Sequence, residues 1–123
     1  MSQTVGVGLD LVDVERFAQL LERRPRVVQR LFTQREITDS RERPERLAAR
    51  FAAKEATMKV LGVGLGAARF GDIEVRRESG GAPSLHVSGA AARLAAEVGV
   101  TTWHVSLSHS ALSAGALVIG TRS

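Results

Sequence analysis

The sequence predicts an α+β fold: a small antiparallel sheet packed by a long central helix and several short helices, in one domain covering 1–123. Three observations carry this. The elements read in the order strand, helices, two strands, helix, two strands. One helical pattern, about Glu45 to Leu61, is much longer than the rest. No internal repeat, low-complexity linker or domain boundary interrupts the chain, and 123 residues can bury a core without disulfides or structural metal.

Val5, Val7, Leu9 and Leu11 alternate, so the first strand carries them on one face and Gly6, Gly8 and Asp10 on the other. An aspartate late in an apolar strand is unusual, and the two glycines leave it uncrowded. Asp13 is placed to cap a helix over Val14–Arg23, with Phe17, Leu20 and Leu21 at core spacing and Arg16, Arg23 and Arg24 exposed. Pro25 opens a short helix, Arg26 to Phe32. Thr33-Gln34-Arg35-Glu36 is a capping-box pattern that starts a third.

Pro44 starts the main helix. Leu47, Phe51, Met58 and Leu61 form its apolar arc, with Glu55 and Lys59 at the edge. Gly62 stops it, and Gly64 and Gly66 follow; such a run permits close backbone approach to a ligand or a neighbouring chain. Asp72–Glu78 and Pro83–Val87 are strands joined by a Gly80-Gly81 turn. Ser88 is placed to cap a helix over Ala90–Val98. Trp103 to Ser110 is a strand ending in the polar turn Ser108-His109-Ser110. Ala114–Ile119 is a small-residue, buried last strand.

Cysteine is absent, so disulfides and thiolate metal sites are excluded. No signal peptide is apparent, and no apolar run approaches the roughly 20 residues that span a bilayer, so the protein is expected to be cytoplasmic and free of the membrane. The net charge of +4 is uneven: Glu15 to Arg50 holds 10 arginines and 6 acids, and the remainder 7 basic and 7 acidic residues. That helical third is expected to attract an anionic partner. A basic nucleic-acid-binding module without catalysis is the alternative reading. It lacks interleaved aromatics, since the chain has four Phe, one Trp and no Tyr.

The chain's only lysines are Lys54 and Lys59, in one helical stretch of an otherwise arginine-rich protein. Glu55 and Lys59, four apart, share a helix face. Asp10 and Glu55 together suit one Mg²⁺, which takes one or two protein carboxylates and fills its remaining positions with water and phosphate oxygens. Lys59 supplies a point charge for the same phosphates, and His109 at a strand end can donate to one. These parts suit phosphoryl-type transfer. His86 and His104 read as structural or surface residues.

Four ordered blocks then resemble a known family: Gly6-Val7-Gly8-Leu9-Asp10-Leu11-Val12 with Glu15-Arg16; Arg50-Phe51-Ala52-Ala53-Lys54-Glu55-Ala56 with Lys59 and Leu61-Gly62; Asp72-Ile73-Glu74-Val75; and Val105-Ser106-Leu107-Ser108-His109-Ser110. They look like holo-[acyl-carrier-protein] synthase, the small 4′-phosphopantetheinyl transferase family. The resemblance implies transfer of phosphopantetheine from coenzyme A to a serine of apo acyl carrier protein. It implies Asp10 and Glu55 as Mg²⁺ ligands, Lys59 on the phosphates and Glu55 as candidate base. His109 and Ser108 would lie along the nucleotide, Gly62 and Gly64 where the coenzyme passes close to backbone. Arg50 and Lys54 are candidates for the 3′-phosphate or for structural pairing. Arg16 is implied as the main docking residue for an acidic carrier, supported by Arg23, Arg24 and Arg26, with Leu20 as an apolar contact. A homotrimer with active sites between subunits is implied, and the last strand suits packing at its three-fold axis. Ala82 departs from the lysine many relatives carry, and Thr33 to Arg46 matches only loosely.

Overall fold

The computed structural model describes residues 2–123. The elements follow the expected order: β1 (Gln3–Asp13), α1 (Val14–Arg23), α2 (Val27–Leu31), α3 (Gln34–Ser40), α4 (Pro44–Leu61), a 3₁₀ turn (Phe70–Asp72), β2 (Ile73–Arg77), β3 (Pro83–Val87), α5 (Gly89–Val98), β4 (Thr102–His109) and β5 (Ser113–Arg122). The strands form two antiparallel sheets rather than one. The larger has the order β1-β5-β4, and β2-β3 is a separate hairpin. On the outer edge of β2, helix α3 takes the place of a further strand. The Val75 amide donates to Glu36 Oε2 at 2.9 Å and the Arg77 amide to Asp39 Oδ2 at 3.0 Å. Two carboxylates three residues apart thus occupy the donors an edge strand would otherwise expose.

The expected caps are present at most ends. Asp13 Oδ1 accepts from the Arg16 amide at 2.9 Å. Thr33 and Glu36 form a reciprocal capping box. Gly62, at φ 72°, ends α4 in the left-handed conformation. The amide of Val63 then reaches back to the Met58 carbonyl at 3.1 Å, the six-to-one bond of a Schellman stop. Ser88 stands at the start of α5 but does not cap it; its hydroxyl turns toward the Asp72 carbonyl, 3.5 Å away.

Helix α4 is buried along most of its length, not along a single arc. One side packs on β1, β5 and β4, the other on α1, α3 and β2. Ala48, Ala49, Ala52, Ala53 and Ala56 are all buried, and their small side chains let elements approach from both sides. Ile73 and Val75 of the hairpin are fully buried. Each such side chain stabilises the fold by about 1.5–3 kcal/mol relative to exposure. Phe51 lies 5.2 Å from Phe17 and 5.7 Å from Phe70, ring centre to centre, tying α4 to α1 and the 3₁₀ turn.

The seating of β1 reverses what its alternation suggests. The glycine face is the one that meets the core. A Cβ on Gly8 would stand 2.0 Å from the Ala56 carbonyl oxygen, so the strand lies directly on the backbone of α4. Val7, Leu9 and Leu11 face outward and are 57 %, 58 % and 73 % exposed. The last strand is buried on one face, as its small residues suggest. β5 is the central strand of its sheet, with Ala114, Ala116 and Val118 buried beneath α4. Its position between two strands leaves only its outer face, with Leu117, available for packing against another chain. Leu117 pairs with Leu9 across the ladder, so that face is continuous with the exposed apolar face of β1.

Candidate active site

The close contact of Gly8 with Ala56 brings Asp10, two residues on, beside Glu55, one residue back. Lys59 lies a turn after Glu55 on the same helix face and is exposed. Its Nζ donates to the Leu9 carbonyl at 2.7 Å and to Asp10 Oδ1 at 3.3 Å. The carboxyl pKa of Glu55 is raised above the ordinary glutamate value, first by partial burial and then by the charge of Asp10, with Lys59 opposing. The structure therefore joins Asp10, Glu55 and Lys59 into one constellation, as their residue types suggest.

Two neighbouring carboxylates beside one ammonium suit a hard divalent cation with oxygen ligands. Among the described residues no three His, Cys, Asp or Glu side chains cluster to enclose a metal. An ion at Asp10 and Glu55 would thus draw at most these two protein side-chain carboxylates and keep positions open for phosphate or water. That is the donor set Mg²⁺ accepts.

Arg50 and His109 come together elsewhere. They line a cleft of about 270 Å³ with Asp39, Arg46, Ala49, Arg77, Gly81, Pro83 and Leu107. Arg50 precedes Glu55 by five residues, which turns it about 140° away around α4. Arg50 is 6 % exposed; its Nη1 donates to the Arg46 carbonyl at 3.2 Å, and its Nε is buried without a partner among the described residues. Burial holds the Arg50 pKa below its ordinary value. Glu36 and Asp39 oppose that shift, while Arg46 and Arg77 add to it. Ser108 does not line this cleft. Because side chains alternate along β4, it lies in a neighbouring hollow with Leu11, Ser110 and Ser113, which His109 also borders.

Lys54 belongs to the scaffold. It is fully buried, and its three N–H groups reach Glu36 Oε1 at 2.8 Å, the Phe70 carbonyl at 2.7 Å and the Ile73 carbonyl. Glu36, Arg46 and Arg77 are the residues that sequence reading missed. Glu36 was visible only as a capping-box member. Arg46 stands one turn before Arg50, a spacing that could have marked it. Arg77 is brought in by the hairpin, and no local pattern signals that.

Arg16, Arg23, Arg24 and Arg26 are exposed, as expected. Leu20 is only half-buried and packs against the cluster around Phe17 and Leu47. Gly62 and Gly64 are exposed on the loop after α4. No atom of the described residues lies within 4 Å of a Cβ built on either, so no close approach among them requires glycine there; at Gly62 the positive φ does. His86 faces Ser84 and Glu78, and His104 faces Thr121, both outside the two groups above.

The profile of the 4′-phosphopantetheinyl transferase superfamily matches residues 6–118. A holo-[acyl-carrier-protein] synthase from Frankia casuarinae is 51 % identical over 115 residues, covering 94 % of this chain and 95 % of its own. Among solved structures, the Helicobacter pylori holo-[acyl-carrier-protein] synthase in complex with coenzyme A superposes with a TM-score of 0.83. It is 28 % identical and covers 92 % of this chain and 97 % of its own. The Bacillus anthracis synthase in complex with CoA (3′,5′-ADP) superposes at 0.80, with 32 % identity and 98 % coverage of both chains.

Proposed function

The chain belongs to the 4′-phosphopantetheinyl transferase superfamily, and we infer that it acts as a holo-[acyl-carrier-protein] synthase. It transfers the 4′-phosphopantetheine arm of coenzyme A to a serine hydroxyl of apo acyl carrier protein. The serine oxygen forms a bond to the phosphorus bearing the pantetheine arm. The bond from that phosphorus to the bridging pyrophosphate oxygen breaks, and adenosine 3′,5′-bisphosphate leaves with the electron pair.

The observation that carries this reading is the joining of Asp10, Glu55 and Lys59 where α4 lies on β1. Mg²⁺ held by Asp10 and Glu55 would neutralise pyrophosphate charge when bound. Lys59, already directed at Asp10, has an exposed ammonium able to stabilise charge on the leaving phosphate. Glu55, with its raised pKa, is suited to receive the serine proton. Arg50 and His109 are assigned to the nucleotide end of the coenzyme, with Ser108 beside them and the loop through Gly62 and Gly64 flanking Lys59. Lys54 has no free donor for a phosphate.

Arg50 and Glu55 point to different sides of α4, so a coenzyme reaching both groups is most simply shared between neighbouring copies. The uncovered apolar face of Val7, Leu9, Leu11 and Leu117 supports such an assembly, and the reading is a homotrimer with its sites between subunits. The exposed arginines Arg16, Arg23, Arg24 and Arg26, with Leu20 between them, are the docking surface for the acidic carrier. Their charge acts mainly on encounter rate and selectivity.

The test is mass spectrometry of apo acyl carrier protein incubated with coenzyme A, Mg²⁺ and the enzyme. A phosphopantetheine mass gain that is lost in Glu55→Gln is expected; no gain with any of several apo carriers would sink the assignment. Arg16→Glu should weaken carrier binding and leave coenzyme A binding intact.

A further inference from the structure

A second cavity lies among the short helices, sharing no residue with the Asp10 constellation or the Arg50 cleft. Its volume is about 460 Å³, and α1, α2, α3, the link before α4 and the start of α4 all contribute to its walls. Leu21, Val28, Ile37 and Leu47 give it an apolar floor, and all but Leu47 remain half-exposed. The rim carries two exposed carboxylates from separate elements, Glu22 near the end of α1 and Glu42 in the link. None of the 10 arginines between Glu15 and Arg50 lines it. The most basic third of the chain thus contains an acidic, apolar bowl.

Six acids lie in that third, and four have evident roles. Glu36 pairs with Lys54 at 2.8 Å and Asp39 with Arg35 at 3.7 Å. Glu15 and Glu45 stand in the first turns of α1 and α4, where the helix dipole favours negative charge. Glu22 and Glu42 are the two that remain. Neither makes an ion pair within 4.0 Å among the described residues. Folding alone disfavours both placements. Glu22 stands in the last turn of α1, where the dipole repels a carboxylate. Glu42 and its neighbour Arg41 are in the left-handed conformation, at φ 57° and 55°, which residues with a Cβ rarely adopt. The fold nevertheless holds Glu42 there. Its amide donates to the hydroxyl of the buried Ser40 at 3.2 Å and to the Ile37 carbonyl at 3.3 Å.

We propose that this bowl is a binding site for an organic ammonium compound with a short apolar body. The body displaces water from Leu21, Val28, Ile37 and Leu47, and Glu22 and Glu42 receive the cation. The apolar floor does not suit a bare metal ion, which needs oxygen donors around it. Coenzyme A and an acidic carrier are anionic, and the same carboxylates repel them. At about 100° per residue, Ala18, Leu21 and Glu22 centre on the side of α1 roughly opposite Arg16, Leu20 and Arg23. A ligand in the bowl therefore leaves the basic face of α1 uncovered, and the inference stands independently of the transferase reading.

The experiment is an amide NMR titration of the full-length protein, at low salt, with three probes of equal length: hexylammonium, hexan-1-ol and hexanoate. Hexylammonium is expected to shift the amides of Leu21, Val28 and Ile37 saturably. It should bind about tenfold more tightly than hexanoate, with the alcohol between them, because two carboxylates favour one charge and oppose the other. E22Q and E42Q should each weaken hexylammonium binding about threefold, the scale of an exposed ion pair, and leave hexan-1-ol binding unchanged. Both glutamates are exposed, so the variants should fold; melting curves verify this. No saturable shift with hexylammonium, shifts centred elsewhere, equal affinity for the three probes, or unchanged hexylammonium binding in either variant would overturn the proposal.

Discussion

Replacing Lys54 by methionine should destabilise the protein more than any surface change and leave its chemistry nearly intact. The ammonium at position 54 is fully buried, with each of its three donors satisfied by Glu36, Phe70 and Ile73. Burial pushes its pKa down, while the charge of Glu36 and its hydrogen bond push it back up. Methionine keeps most of the volume but leaves the Glu36 carboxylate, also 0 % exposed, without its counter-ion. Breaking one half of a buried pair costs about 3–5 kcal/mol. For 123 residues at about 2.1 cal/mol/K each, the unfolding entropy is near 0.26 kcal/mol/K, so a loss of about 4 kcal/mol lowers the melting temperature by roughly 15 °C. Urea denaturation at fixed protein concentration measures this, since assembly would otherwise shift the midpoint. The double variant Glu36→Gln/Lys54→Met removes both charges and should recover part of the loss. Turnover measured well below the melting temperature should stay near wild type. A loss below about 1 kcal/mol would refute the reasoning that this pair fastens α3 and the hairpin to α4, because a buried, fully bonded ammonium cannot be that cheap to remove.

Gly8→Ala places a Cβ 2.0 Å from the Ala56 carbonyl; backbone cannot step aside, so a loss at or beyond the upper end of the about 1–3 kcal/mol typical of overpacking is expected, read by thermal melting. An unchanged melting point would mean that β1 does not lie on α4 as described. Leu11→Lys puts a charge on the uncovered apolar face and should reduce the particle mass in sedimentation velocity; a mass equal to wild type would remove that face from the assembly. For Glu55 the raised pKa fixes a sign. Between the ordinary glutamate value and the raised one, the folded state holds a proton that the unfolded chain has lost, so stability falls as pH rises through that window. Glu55→Gln cannot ionise, and in the presence of a chelator its stability relative to wild type should grow as pH rises from below the ordinary value to neutrality. Urea midpoints across that range measure it, and parallel curves would contradict the partial burial of Glu55 beside Asp10.

Much of the fold was legible because local chemistry dictated it. Asp13, Thr33, Glu36 and Gly62 end or begin helices through bonds within four or five residues, and these are visible in one dimension. The pair Asp10 and Glu55 was legible because a carboxylate is rare on such elements. The seating of β1 was not. Alternation assigns residues to two faces but does not say which is inward, and the usual guess, apolar inward, fails where a helix lies on bare glycine backbone. The hub at Lys54 was not legible either, since Glu36, Phe70 and Ile73 lie 16 to 19 residues away and converge only in three dimensions. The same holds for Arg77, which reaches the cleft through a hairpin whose edge is closed by α3.

Glycine at position 8 and alanine at position 56 also connect packing to chemistry. The two carboxylates of the site extend from backbones whose separation is set by that contact, two residues from Asp10 and one from Glu55. A larger residue at either position would part strand and helix, and the separation of the carboxylates would grow by a similar amount. A cation that holds two protein oxygens at fixed bond lengths tolerates little such growth. The helix cannot compensate by shifting, because its opposite side is fastened by Lys54 to Glu36 and to the carbonyls of Phe70 and Ile73. The small residues and the buried ion pair of α4 therefore act together: one allows the approach of β1, the other resists retreat, and Asp10 and Glu55 stay side by side.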